Sequence, residues 1–117
     1  MAKRHKYGAK PTVVDGIRFA SLAEAKRYGE LKLLEKAGEI TDLVLQPRFV
    51  LTASNARYPE VGGRSVEIGS YVADFAYRDR DGSYIVEDVK GYRTDLYVWK
   101  KKHAEAEHGI TITEITK

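Results

Sequence analysis

Tyr71–Lys90, YVADFAYRDRDGSYIVEDVK, is the stretch on which the reading of this chain turns. It reads as two β-strands joined by a tight turn, with acids set into otherwise apolar runs. Asp74 lies in the first strand, and Glu87, Asp88 and Lys90 end the second. A carboxylate in a buried hairpin is costly unless it is paired or holds a cation.

The turn fixes which acids meet. Arg80-Asp81-Gly82 fits a three-residue loop, a type I turn closed by a glycine in the left-handed conformation. That loop pairs Asp79 with Ser83, so partner numbers sum to 162 and Asp74 falls opposite Asp88. Directly paired residues project to one face with Cβ atoms about 5 Å apart. A two- or four-residue loop would bring Glu87 beside Asp74 instead. Two carboxylates this close repel, and one takes up a proton unless a cation lies between them. Lys90 stands one pleat beyond Asp88 on the same face, where it can orient water and offset charge growing on a phosphate. The chemistry this pattern suits is hydrolysis of a phosphodiester by a metal-activated water. An internal salt bridge accounts for the same residues more simply, with Lys90 paired to Asp88 or Asp74 and Glu87 turned to solvent.

Working outward, Val13–Phe19 holds Asp15-Gly16 between β-formers, a two-residue hairpin signal. Ser21-Leu22-Ala23-Glu24 fits a capping box opening a helix to about Ala37, with Gly38 as its stop. Tyr28, Leu31 and Leu34 fall on one stripe of that helix, and Glu24 falls near the middle of it. Glu24 therefore reads both as a cap and as an acid aimed at the sheet. Asp42–Leu51 reads as one strand in which Pro47 marks an edge or a bulge. Thr52–Ser70 is glycine-rich and the least regular segment, with a short strand over Arg64–Ile68. A second helix runs from Thr94 or Asp95 to about His108. Leu96, Trp99, His103 and Ala106 share one face of it, which makes His103 a partly buried neighbour of Trp99 rather than a ligand. Lys101 projects from the opposite face, flanked by Lys100 and Lys102. Ile110–Ile115 alternates as a half-buried strand should.

The expected fold is α/β: an N-terminal hairpin, then an αβββαβ core forming a central mixed sheet flanked by helices. Residues 12–117 read as a single domain and residues 1–11 as a basic flexible tail. With 117 residues and net charge +3, the chain carries its cations in clusters, Lys3, Arg4, Lys6 and Lys10 at the start and Lys100–Lys102 later. Clustered cations suit a polyanion partner. No apolar run reaches the roughly 20 residues that span a bilayer. Cysteine is absent, which excludes disulfides and thiol chemistry and fits the cytoplasm. With three scattered histidines, oxygen donors and hence Mg2+ or Mn2+ are the expected metal chemistry.

Asp74 in YVADF, Asp88 and Lys90 in EDVKG, and Glu24 in the first helix resemble the PD-(D/E)XK nuclease superfamily, the restriction-endonuclease-like fold. SLAEAKRYGELKLLEKAGEI, LQPRF, YVADF and VEDVKG look like a small phage-encoded nuclease-like family, and chains of this size resemble Holliday-junction resolvases. Ala73 stands where the superfamily motif carries proline. The resemblance implies Mg2+-dependent (or Mn2+-dependent) cleavage of branched or structured DNA, in phage recombination, repair or packaging. It assigns Asp74, Asp88 and Glu24 as metal ligands and Lys90 as the catalytic lysine. Lys100 and Lys101 match its basic residues on the following helix, and Arg93, Arg57 and Arg64 are further candidate DNA contacts. Paired cuts across a junction would need a homodimer. The rival expectation is a non-catalytic nucleic-acid-binding module on the same fold.

Overall fold

The structure, a computed structural model, describes residues 11–55 and 64–116, with the backbone alone for Asn55 and Arg64. Most of the basic tail, and Arg57, lie outside the described residues.

The chain opens with the expected hairpin. Strands β1 (Thr12–Val14) and β2 (Ile17–Phe19) pair antiparallel, and Asp15 and Gly16 both take positive φ, 54° and 75°, as a primed turn requires. Helix α1 (Leu22–Lys36) follows. Ser21 is its N-cap, accepting from the Glu24 N–H at 3.1 Å. Ala25, Tyr28 and Leu31 are its buried residues. Leu34, expected on the same stripe, is exposed.

The segment after α1 departs from the expectation of one strand. It splits into β3 (Ile40–Leu45) and β4 (Arg48–Asn55), separated at Gln46-Pro47 with Gln46 at φ 51°. The run expected to be irregular supplies β5 (Arg64–Val72), which pairs antiparallel with β4 along its whole length as a two-stranded ribbon. The first strand of the opening stretch divides as well. Tyr71 and Val72 belong to β5, and β6 starts only at Phe75 and ends at Asp79. The two breaks face each other, since Ala73 N–H donates to Pro47 O at 3.1 Å and Gln46 N–H to Asp74 O at 2.9 Å. One antiparallel pair thus leaves the sheet at a shared kink and continues as the ribbon.

The remaining elements are β7 (Tyr84–Lys90), α2 (Asp95–His108) and β8 (Ile112–Thr116). The four-stranded sheet has the order β3-β6-β7-β8. It is mixed: β3 and β7 run antiparallel to β6, and β8 runs parallel to β7 across the α2 crossover. The protein is therefore α/β with a central mixed sheet flanked by helices, and the ribbon is inserted between the first two strands of the core.

The sheet separates two apolar clusters. On the α1 side Phe75, Tyr77 and Val89 meet Ala25, Tyr28 and Leu31. On the other side Ala76, Val86 and Ile112 meet Ala104 of α2 and Leu51, Tyr71 and Ala73 of the ribbon and its kink. Alternation along β7 puts Glu87 with the first cluster and Asp88 with the second. Helix α2 reverses its expected orientation. Ala104 is buried and Tyr97 half-buried against the second cluster, whereas Leu96 and Trp99 are 65% and 74% exposed. No helix among the described residues is long and apolar enough to cross a membrane.

Candidate active site

The turn behaves as its chemistry dictates. Gly82 has φ 81°, Gly82 N–H donates to Asp79 O, and Asp79 N–H donates to Ser83 O, both at 3.0 Å. The Asp79 carboxylate also accepts from the Asp81 and Ser83 N–H groups, each at 2.9 Å. The loop has three residues, and the pairs from Phe75↔Glu87 to Arg78↔Tyr84 all sum to 162.

That register carries to Phe75 and stops one residue short of Asp74. Asp74 N–H donates to Glu87 O at 3.1 Å, and its carboxylate accepts from Val89 N–H at 2.7 Å. Asp74 is therefore not a strand residue but a clamp at the kink, tied to β7 by backbone and side chain. Its carboxyl still neighbours that of Asp88 closely enough to raise the Asp88 pKa. The sequence prediction of which acids meet holds, although the local geometry that brings them together is a break and not a regular pleat.

Asp88 is 2% exposed and accepts a short hydrogen bond from the Tyr71 hydroxyl. Burial pushes its pKa up to about 7; the Tyr71 hydroxyl and Lys90 oppose the rise, and the neighbouring Asp74 charge and hydrogen bond add to it. Lys90 lies half-buried on the same side, its Nζ 4.3 Å from the centre of the Tyr97 ring. Tyr97 in turn donates to Glu114 at 2.8 Å, and Glu114 pairs with Arg93. Arg93, expected to contact DNA, is thus engaged within the fold. Tyr71, Tyr97 and Glu114 carried no sequence signal of their own, because the ribbon, α2 and β8 bring them to β7 from distant parts of the chain.

Glu24 is half-buried and lines a cavity of about 120 Å3 with Asp74, Gln46 and Arg18. Burial and then the Asp74 charge raise its pKa, while hydrogen bonds from the Ser21 hydroxyl and the Ala20 backbone, and the Lys90 charge, lower it. The side chain thus lies beside the N-cap and still within electrostatic reach of Asp74 and Lys90.

Glu87 has no place at this site. It is 2% exposed and faces α1, where Arg27 Nε and Nη2 donate to it at 2.8 and 2.7 Å and Tyr77 adds a short hydrogen bond. The internal-salt-bridge reading turns Glu87 to solvent; burial instead demands a partner, and α1 provides a bidentate one. Arg27 lies beside the Tyr28–Leu31 stripe, so a buried acid in need of a cation was a usable signal.

Among the described residues, no group of three or more His, Asp or Glu side chains is arranged to hold a metal ion. Mg2+, however, is ordinarily bound by one or two carboxylates, with water and phosphate oxygens completing its shell. The Asp74–Asp88 pair has that number and type of donor, and its mutual repulsion is what a cation relieves. The donor set is thus of the kind Mg2+ takes, and Glu24 lines the cavity beside Asp74.

Of the basic candidates, Lys100 is half-buried beside Tyr71 and Tyr97. Lys101 lies 3.9 Å from Glu105. Arg64 contributes a described backbone only, paired with Asn55. His103 is structural, as expected for a non-ligand: its Nε2 lies 2.8 Å from Thr52 O and 3.2 Å from a Glu107 carboxylate oxygen, both acceptors, so this nitrogen carries the proton.

A family model described as "Protein of unknown function (DUF1064)" matches residues 4–116. The chain belongs to that family. Its match spans every element of DUF1064 described above, from the β1–β2 hairpin to β8. Neither the curated proteins nor the solved structures yield a match.

Proposed function

We propose that this DUF1064 protein is a metal-dependent DNA endonuclease acting on branched or otherwise structured DNA. The observation that carries the reading is the meeting of Asp74 and Asp88 at a sheet kink, with Lys90 on the same side. Burial and repulsion make this pair expensive in a purely structural role. The resemblance to PD-(D/E)XK nucleases in YVADF, EDVKG and the first-helix acid supports it.

Asp74 and Asp88 would hold Mg2+ or Mn2+, which when bound supplies Lewis-acid polarisation of the phosphate and a more acidic water. The protein's part is positional. The kink and the Val89 N–H fix the Asp74 carboxylate, and the Tyr71 hydroxyl fixes Asp88. The Tyr97 ring steadies the Lys90 ammonium, leaving its N–H donors to orient water and offset negative charge growing on the phosphate. Glu24, its pKa raised by burial and then by the Asp74 charge, lines the small cavity and would be the third acid of the site.

The test is a cleavage panel of linear, flapped, single-stranded and four-way DNA with Mg2+, Mn2+ or EDTA. The expected result is metal-dependent cutting, lost in Asp88→Ala and in Lys90→Ala while DNA binding persists. Undiminished cutting by Asp88→Ala removes the assigned site. Salt-sensitive binding with no cutting of any substrate favours the non-catalytic module.

A further inference from the structure

Helix α2 turns its large apolar residues outward. Trp99 is 74% and Leu96 65% exposed, and just before the helix Tyr92 is 55% exposed. Leu96 and Trp99 stand three residues apart on one helix face, and adjoining exposed apolar side chains of this kind mark interaction surfaces. Trp99 opens onto a groove of about 820 Å3 between α2 and the β4 edge of the ribbon, lined also by Val98, Lys102, His103 and Thr52. That volume falls within the roughly 300–1,000 Å3 of ordinary ligand sites. One turn away, Leu96 and Lys100 border a cleft of about 370 Å3 that ends at Tyr71 and Tyr97. Those tyrosines contact Asp88 and Lys90, so a single layer of side chains separates this cleft from the candidate active site.

We propose that this face binds an unpaired stretch of nucleic acid, with a base stacked on Trp99 and the adjoining phosphates met by Lys100 and Lys102. An exposed aromatic plane between lysines at neighbouring helical positions matches what single strands need: a surface for the base and cations for the backbone. Glu107 also lines the groove, but its carboxylate is engaged by the Thr52 N–H and hydroxyl and faces His103. Asp95, at the far end, lies in the first turn of α2, where the helix dipole offsets its charge. The inference rests on the reading of the protein as one that acts on DNA, and it supplies the feature by which structured DNA differs from plain duplex.

Trp99 is the only tryptophan in the chain, so tryptophan emission, excited to the red of tyrosine absorption, reports on this site alone. The experiment titrates the full chain with a short oligothymidylate and with a blunt duplex of equal length, in EDTA at low salt. Quenching by the single strand is expected, with tighter binding than to duplex. Trp99→Ala should weaken oligothymidylate binding roughly 5- to 150-fold, measured by anisotropy of a labelled strand, and Trp99→Phe should retain most of it. Absence of quenching while DNA is bound overturns the proposal. So does unchanged affinity in Trp99→Ala, or an emission shift driven by protein concentration alone, which would mark self-association. Because EDTA removes cleavage from the measurement, cutting without quenching discards this face and keeps the nuclease, and quenching without cutting does the reverse.

Discussion

Asp88 ties stability to pH. Its folded pKa, about 7, lies above the ordinary carboxylate value that it regains on unfolding. Between about pH 4 and pH 7 the folded state therefore holds more protons than the unfolded state, and stability falls as pH rises through that window. In EDTA the melting temperature of the wild type should drop across this range, and Asp88→Asn should flatten the profile and melt higher at pH 8. Mg2+ should restore the wild type more at pH 8 than at pH 5.5, since the cation competes with the proton. A thermal-shift series with both proteins checks all three signs. Glu87 predicts differently because its charge is already answered by Arg27. Arg27→Met leaves a buried unpaired carboxylate and should cost about 3–5 kcal/mol in chemical denaturation. In folded Glu87→Gln, cleavage should be within a few-fold of wild type, in contrast to Asp88→Ala. The sequence distinguished these two acids through Gly82 alone. A glycine at positive φ sets loop length, and loop length sets which acid faces Asp74, so a local rule reached a non-local contact. The Arg27 pairing was less legible because it depends on how α1 sits on the sheet.

At the scale of elements, the cap of α1 joins fold and site. Ser21 accepts from Glu24 N–H, and Ser21 and Ala20 in turn lower the pKa of the Glu24 carboxyl beside them. Ser21→Ala should cost about 1 kcal/mol of stability. It should also free Glu24 to turn further towards Asp74, so the measurement that matters is Mg2+ affinity beside melting temperature. Both hairpin turns, both helices and β8 were readable because their signals are contiguous: Asp-Gly, a capping box, a glycine stop, alternating Ile and Thr. The ribbon was not. Its strands are separated by residues 56–63, and Pro47, seen as an edge or bulge, is half of a kink whose other half is Ala73-Asp74. The α2 face misled for a further reason. Periodicity finds an apolar stripe but not what it faces, and here the sheet takes Ala104 and Tyr97 while Trp99 and Leu96 look outward.

Over the whole molecule, a net charge of +3 hides a division of labour. Asp74 and Asp88 meet beside β7, and Lys100–Lys102 form a run on α2. On the proposed reading, DNA held at Lys100 and Lys102 would bring its phosphates towards the acid pair, which would repel them without metal and attract them with it. Binding measured in EDTA at pH 8 should therefore be tighter, by several-fold, in Asp88→Asn than in the wild type, even though the variant cannot cut. Lys102→Ala should act the other way. It should weaken binding to every sequence alike and make the slope of log affinity against log salt shallower by about 1, because one phosphate no longer meets a lysine. Anisotropy titrations of wild type and the two variants at several salt concentrations separate these effects. If Asp88→Asn binds no better than wild type, the phosphate does not pass the acid pair, and the path from α2 to Asp88 and Lys90 is wrong.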